Sequence, residues 1–132
     1  DRMMRKIKPF IKGALHLKDC GAPGNQIVLA PNGDIGPCQG FLTSRKYYTM
    51  NIDKFPDLQK DSSFKEWKDR YAVNMDECLD CEALGICGGG CPYSSYVNKG
   101  SIWEVDERIC DHNKTFLNWL LWDLHDSRAN LK

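Results

Sequence analysis

The chain is predicted to be a small α+β domain stabilised by metal clusters: a β-hairpin, then short helices, then a longer C-terminal helix. Three features carry that prediction. Asn32-Gly33 follows the short apolar run Ile27-Val28-Leu29-Ala30, a pattern that reads as a strand entering a tight hairpin turn. Phe116, Leu120 and Leu124 recur every four residues with Leu117 and Leu121 alongside, which is the spacing of a helix face. Seven cysteines, four of them between positions 78 and 91, are too concentrated to stand as isolated thiols.

Residues 1–18 are basic, and Met3, Met4, Ile7, Phe10, Ile11 and Leu15 have a loosely helical spacing that Pro9 interrupts. The stretch reads as a surface helix, a frayed end or a docking element. The hairpin follows, with its return strand over 34–37, and it sets the distance between Cys20 and Cys38. Asn32 and Gly33 are expected to supply the two left-handed residues of the turn, with Gly33 there for its positive φ. Segment 41–63, with Tyr47, Tyr48, Ile52 and Phe55-Pro56, shows no clear period and is expected to be a loop. Phe64 to Tyr71 reads as a short helix capped by Ser62 or Ser63, with Phe64, Trp67 and Tyr71 on one face packing against a cysteine loop. Pro92 to Val97 suits a helix that begins on proline and stops at Gly100. The strongest helix runs from Asn113 through Leu124, where Trp119 and Trp122 widen the apolar face toward either core or a partner.

At 132 residues and 15.1 kDa the chain suits one domain, and such a domain buries roughly two-thirds of its unfolded surface. Eighteen Lys+Arg balance 18 Asp+Glu, which excludes the basic footprint of a dedicated nucleic-acid binder or a polybasic membrane-surface module. No apolar run approaches the roughly 18 residues of a membrane span, and no export signal is visible. The first residue is Asp1 rather than Met, so a piece of a longer protein or a processed product is expected.

Thiolates brought together repel one another and lose solvation, so a cluster of them normally surrounds a cation. Zinc and iron–sulfur clusters are the two realistic guests. Structural zinc usually sits between two Cys-x2-Cys knuckles, and this chain has one such pair, Cys78/Cys81. Iron–sulfur proteins spread ligands through one loop and take a last, proline-followed cysteine to another cluster, a pattern that Cys78, Cys81, Cys87 and Cys91-Pro92 fit. Gly88-Gly89-Gly90 leaves the intervening backbone without Cβ atoms, so its amides can approach sulfur. A zinc-binding structural or interaction module and a disulfide-containing interaction domain are the alternatives.

The full order is Cys20, Gly33, Cys38, then Cys78-x2-Cys81-x5-Cys87-x3-Cys91, then Cys110. With Pro31-Asn32-Gly33-Asp34-Ile35-Gly36-Pro37-Cys38 and Cys87-Gly88-Gly89-Gly90-Cys91-Pro92, it resembles the seven-cysteine SPASM signature. SPASM is the auxiliary-cluster domain C-terminal to the catalytic barrel of many radical S-adenosylmethionine (SAM) enzymes. The resemblance spans residues 20–110 and implies two 4Fe–4S clusters. Cys20, Cys38 and Cys91 would hold the first, and Cys78, Cys81, Cys87 and Cys110 the second. Two cubes need eight ligands, so one iron of the first lacks a cysteine; it is open for substrate, bound by water, or closed by a side chain such as Asp19, Asp34, Gln26 or His16. The resemblance also implies a lead-in from a preceding barrel over 1–18, the cluster domain over 19–112 and a C-terminal helix over 113–132. Its implied partners are that barrel, in the same parent chain, and a peptide or protein substrate. Its implied setting is the reducing cytoplasm.

Radical SAM chemistry itself needs Cys-x3-Cys-x2-Cys. Here Cys87/Cys91 is the sole Cys-x3-Cys pair and Ser94 stands where the third cysteine belongs. The chain is therefore expected to be an accessory part, serving electron transfer or substrate positioning, with SAM confined to the barrel. His16, His112 and His125 have no Cys or Ser partner in a nucleophile pattern, and the pairs Asp76-Glu77 and Asp106-Glu107 suit solvated helix ends.

Overall fold

The structure, a computed structural model, describes residues 2–22, 24–54 and 57–129, so Phe55-Pro56 and the last three residues fall outside it. It is the expected α+β arrangement. Helix α1 (Arg2–Ile11) leads to strands β1 (Val28–Leu29) and β2 (Asp34–Gly36), then β3 (Met50–Asn51). Helices α2 (Ser62–Asp69), α3 (Asp76–Leu79), α4 (Leu84–Cys87), α5 (Pro92–Lys99) and α6 (Glu107–Ala129) follow.

The hairpin forms as the sequence predicts, pairing Val28 with Gly36 and Leu29 with Ile35 in antiparallel register. Its turn spans Ala30 to Gly33, closed by the Gly33 amide on the Ala30 carbonyl at 2.9 Å. The turn is not the expected one with two left-handed residues: proline in the second position and glycine in the last suit a type I turn, and of the Asn32-Gly33 pair Gly33 alone takes positive φ, +84°.

Segment 41–63 departs from the expected loop. Met50 pairs with Ile35 and Asn51 with Asp34, which adds β3 to the hairpin and gives sheet order β1-β2-β3. The cause is tertiary. Phe41, 1% exposed, meets Tyr47, Trp67 and Tyr93 edge-on with ring centroids 5.0, 5.7 and 5.1 Å away, and these aromatic contacts order a segment without periodicity.

Helix α2 ends before Tyr71 and begins two residues before the expected Phe64, because its cap is Asp61, whose carboxylate accepts from the Ser63 and Phe64 amides at 2.9 and 3.2 Å. A carboxylate at that position also complements the helix dipole. Helix α5 starts on Pro92 and ends at Gly100 in the left-handed conformation, φ +84°. Helix α6 begins at Glu107, earlier than the apolar repeat indicates, because Asp106 accepts from the Arg108 amide at 3.2 Å and caps the first turn. Helix α1 runs through Pro9, and Ile7 and Phe10 pack on the cluster formed by Ala83, Ile86, Cys87, Phe116 and Leu120. This amphipathic segment is thus docked on the domain.

The core is divided. A second apolar cluster joins Ala22, Phe41, Trp67 and Ile102 beside Cys20 and Cys38, and a third joins Ala72, Met75 and Cys78. On α6, Phe116 and Leu120 are buried while Trp119, Leu121, Trp122 and Leu124 are exposed. Among the described residues no helix is long and apolar enough to cross a membrane.

Candidate metal centre

Six of the seven cysteines are placed by distinct local devices. Cys38 precedes a 3-10 turn (Gln39–Phe41), and its sulfur accepts from the Gly40 amide at 3.4 Å. Cys78 lies in α3, Cys87 ends α4, Cys91 sits at the N-terminal cap of α5, and Cys110 belongs to the start of α6. Cys20 reaches the others because residues 16–19 run alongside 85–88. The His16 amide donates to the Gly85 carbonyl at 2.7 Å and the Asp19 amide to the Gly88 carbonyl at 3.1 Å.

The shifted thiols feel two different sets of neighbouring cysteines. Burial pushes the Cys38 thiol up, and the nearby Cys91 and Cys20 thiols add to the shift. Burial likewise raises Cys20, with Cys91 again contributing and the Ala22 amide opposing. In the other group burial pushes Cys78 up to about 11, reinforced by Cys87, Cys110 and Cys81. Cys110 is raised by burial and then by Cys87 and Cys81. Cys78, Cys81, Cys87 and Cys110 also line one cavity of about 190 Å³. All seven thiols are free of disulfides.

The Gly88-Gly89-Gly90 loop joins the two groups. All three glycines have positive φ, +70°, +75° and +68°. At Gly88 the conformation is coupled to close approach, because a Cβ there would stand 2.5 Å from the Asp19 nitrogen. Burial raises the Cys87 thiol, whereas Lys6 and the Gly89 and Gly90 amides act in the opposite sense. Donors aimed at sulfur stabilise thiolate and tune a bound cluster.

Three buried polar residues surround this loop that the sequence alone did not single out. Asn113, fully buried, donates to Cys87 Sγ at 3.3 Å and to the Ile109 carbonyl at 2.7 Å, and its oxygen accepts from Lys6 Nζ. Lys6 also lies 3.5 Å from Asp19, which is within 4.0 Å of His16 Nε2. Arg70, 1% exposed, extends from the end of α2 to the Gly89 carbonyl at 2.9 Å. A charge in an interior needs a partner, so buried Lys and Arg are signals of a site. Nothing in the local sequence distinguishes them from surface bases.

Of the candidates for an eighth ligand, Asp34 is engaged by Asn32 at 2.7 Å and Asn51 at 3.1 Å within the sheet. Asp19 and His16 lie with Lys6. Gln26 lies against the first group's own segments, donating to the Pro37 carbonyl at 3.2 Å and to Gln39 Oε1 at 3.0 Å. Among the described residues, no three His, Cys, Asp or Glu side chains converge as tightly as a single metal ion requires.

No protein-family model matches the chain. It is 28% identical over 104 residues to the radical SAM cyclopropyl synthase TigE of Paramaledivibacter caminithermalis, a match covering 79% of this chain and 21% of that protein. The chain thus spans about a fifth of the length of the curated relative it matches. The similarity supports a domain related to radical SAM enzymes, a family whose members carry iron–sulfur clusters and SAM.

Proposed function

We propose that the chain is a SPASM-type auxiliary domain of a radical SAM peptide- or protein-modifying enzyme, binding two 4Fe–4S clusters. The observation that carries this reading is the division of the thiols. Cys91 bears on both Cys20 and Cys38, Cys81 and Cys87 bear on both Cys78 and Cys110, and Cys78, Cys81, Cys87 and Cys110 line one cavity, which supports taking Cys87 and Cys91, at the two ends of one glycine loop, as ligands of different clusters. The donor set fits the clusters: free thiols, a shared cavity for the four-cysteine group, and amide donors at Cys38 and Cys87.

Such clusters, when bound, supply one-electron transfer. The chain's own residues do the rest. The two apolar clusters beside the cysteine groups limit water, and the Gly40, Gly89 and Gly90 amides stabilise negative charge on sulfur. Cys20, Cys38 and Cys91 leave one position of the first cluster to another donor, and Gln26 is the candidate adjoining that group. The catalytic barrel of the parent enzyme is the partner proposed for the exposed face of Trp119, Leu121, Trp122 and Leu124.

The test is made in the parent enzyme. Cys20→Ser and Cys78→Ser combined are expected to leave the barrel's own cluster and SAM cleavage in place while abolishing modified product. Normal turnover in that variant would refute an auxiliary role.

A further inference from the structure

Arg70 is buried, yet among the described residues none of its hydrogen-bond partners is a carboxylate. Its Nε donates to the Ile102 carbonyl, its Nη2 to the Gly89 carbonyl at 2.9 Å, and Ser95 Oγ and the Glu104 carbonyl each lie 3.5 Å from Nη2. Ser95 Oγ in turn donates to the Cys91 carbonyl at 3.2 Å. Arg70 therefore grips the Gly88–Gly90 loop in its middle and, through Ser95, at its far end. That loop carries Cys87 on one side and Cys91 on the other.

Neutral carbonyls satisfy the guanidinium's N–H groups but do not neutralise a buried charge. Burial pulls the Arg70 pKa down, and the sulfurs of Cys20, Cys78, Cys91 and Cys87 act in the opposite sense. Two of these belong to each cysteine group. The chain thus places a permanent cation between two collections of thiols that become anionic only on binding metal.

We propose that Arg70 is a positioning residue shared by both metal sites, clamping the loop that ligates each and supplying the fixed positive charge that balances both. The proposal rests on the two-cluster reading. A fixed cation favours the more negative, reduced form of a nearby cluster, so it raises the reduction potential. A residue that merely packed would leave potentials alone.

The experiment compares wild type with Arg70→Lys, Arg70→Gln and Arg70→Met after anaerobic reconstitution of the whole chain. Iron and sulfide are counted first, then each cluster's midpoint potential is read by titration with a low-potential reductant under EPR. Arg70→Gln and Arg70→Met should lower both potentials, while Arg70→Lys, which keeps the charge, should hold both near wild type. A loaded Gln or Met variant with unmoved potentials, or with one moved alone, overturns the shared role. If the neutral variants take up no iron, Arg70→Lys decides. Full uptake supports the counter-charge, and failure to load assigns the guanidinium a purely structural part. A wild-type chain that takes up no iron and sulfide refutes the two-cluster reading itself, an outcome distinct from loaded variants with unchanged potentials.

Discussion

The side-chain amide of Asn113 on α6 lies 3.3 Å from the sulfur of Cys87 at the end of α4, and the same side chain accepts from Lys6 of α1. One fully buried residue therefore joins three helices to a cysteine of the four-thiol group. Asn113→Ala would remove the nearest acceptor of the buried Lys6 ammonium and leave it, among the described residues, only the Asp19 carboxylate at 3.5 Å. Leaving a buried donor unsatisfied costs about 1–3 kcal/mol, more for a charged one. A denaturation midpoint lowered by an amount in that range is expected, and an unchanged midpoint would show that Asp19 alone satisfies Lys6.

Gly88 and Gly100 both have positive φ, but their surroundings differ. A Cβ at Gly88 would press on the Asp19 and Lys18 backbone at 2.5 and 2.6 Å, whereas one at Gly100 meets nothing within 4 Å. Gly100→Ala should cost about 1 kcal/mol for the left-handed backbone alone. Gly88→Ala should cost about 1–3 kcal/mol more, because backbone cannot rotate aside. Equal losses in the two variants would contradict the close packing of 16–19 on 85–88.

Asp106 ties α5 to α6. It accepts from Ser94, from Asn98 at 3.2 Å, and from the Arg108 guanidinium at 2.9 and 2.8 Å. The Arg108 bonds, then Ser94, hold its carboxyl well below the usual range. A depressed folded pKa contributes stability above the ordinary carboxylate value near 3.8, and that contribution is lost as pH falls below it. Wild type should therefore exceed Asp106→Asn in melting temperature at neutral pH, with the gap closing as the pH drops from about 4 downward. A gap independent of pH would argue against the ion pair.

Trp67 is wholly buried beside Phe41 and Tyr47, with ring centroids 5.7 and 5.4 Å away, while Trp122 is 60% exposed. Trp67→Ala should cost about 3–5 kcal/mol and open the wall beside Cys20 and Cys38. Trp122→Ala should change stability by less than about 0.5 kcal/mol. Denaturant titration of the two variants checks both values.

What the sequence revealed was local chemistry. The hairpin announced itself through Pro31-Asn32-Gly33, and α5 through Pro92 and Gly100, because turn and cap geometry are set by one or two residues. What it hid depends on distant contacts. Arg45 and Tyr47 adopt positive φ, +60° and +69°, with no local signal, and β3 exists because the aromatic contacts of Phe41 order the chain around it. The cysteine spacing pointed to metal, but Lys6, Arg70 and Asn113 became visible as parts of the site only when the fold buried them.

The most direct test of the central claim is iron, acid-labile sulfide and zinc per chain on anaerobically reconstituted protein, read with its absorption spectrum. Two clusters predict about eight iron and about eight sulfide per chain, with a broad sulfur-to-iron charge-transfer band and negligible zinc. Cys78→Ser should then lose the second cluster's share while keeping the first. Stoichiometric zinc without sulfide would contradict the account and make the chain a structural zinc module.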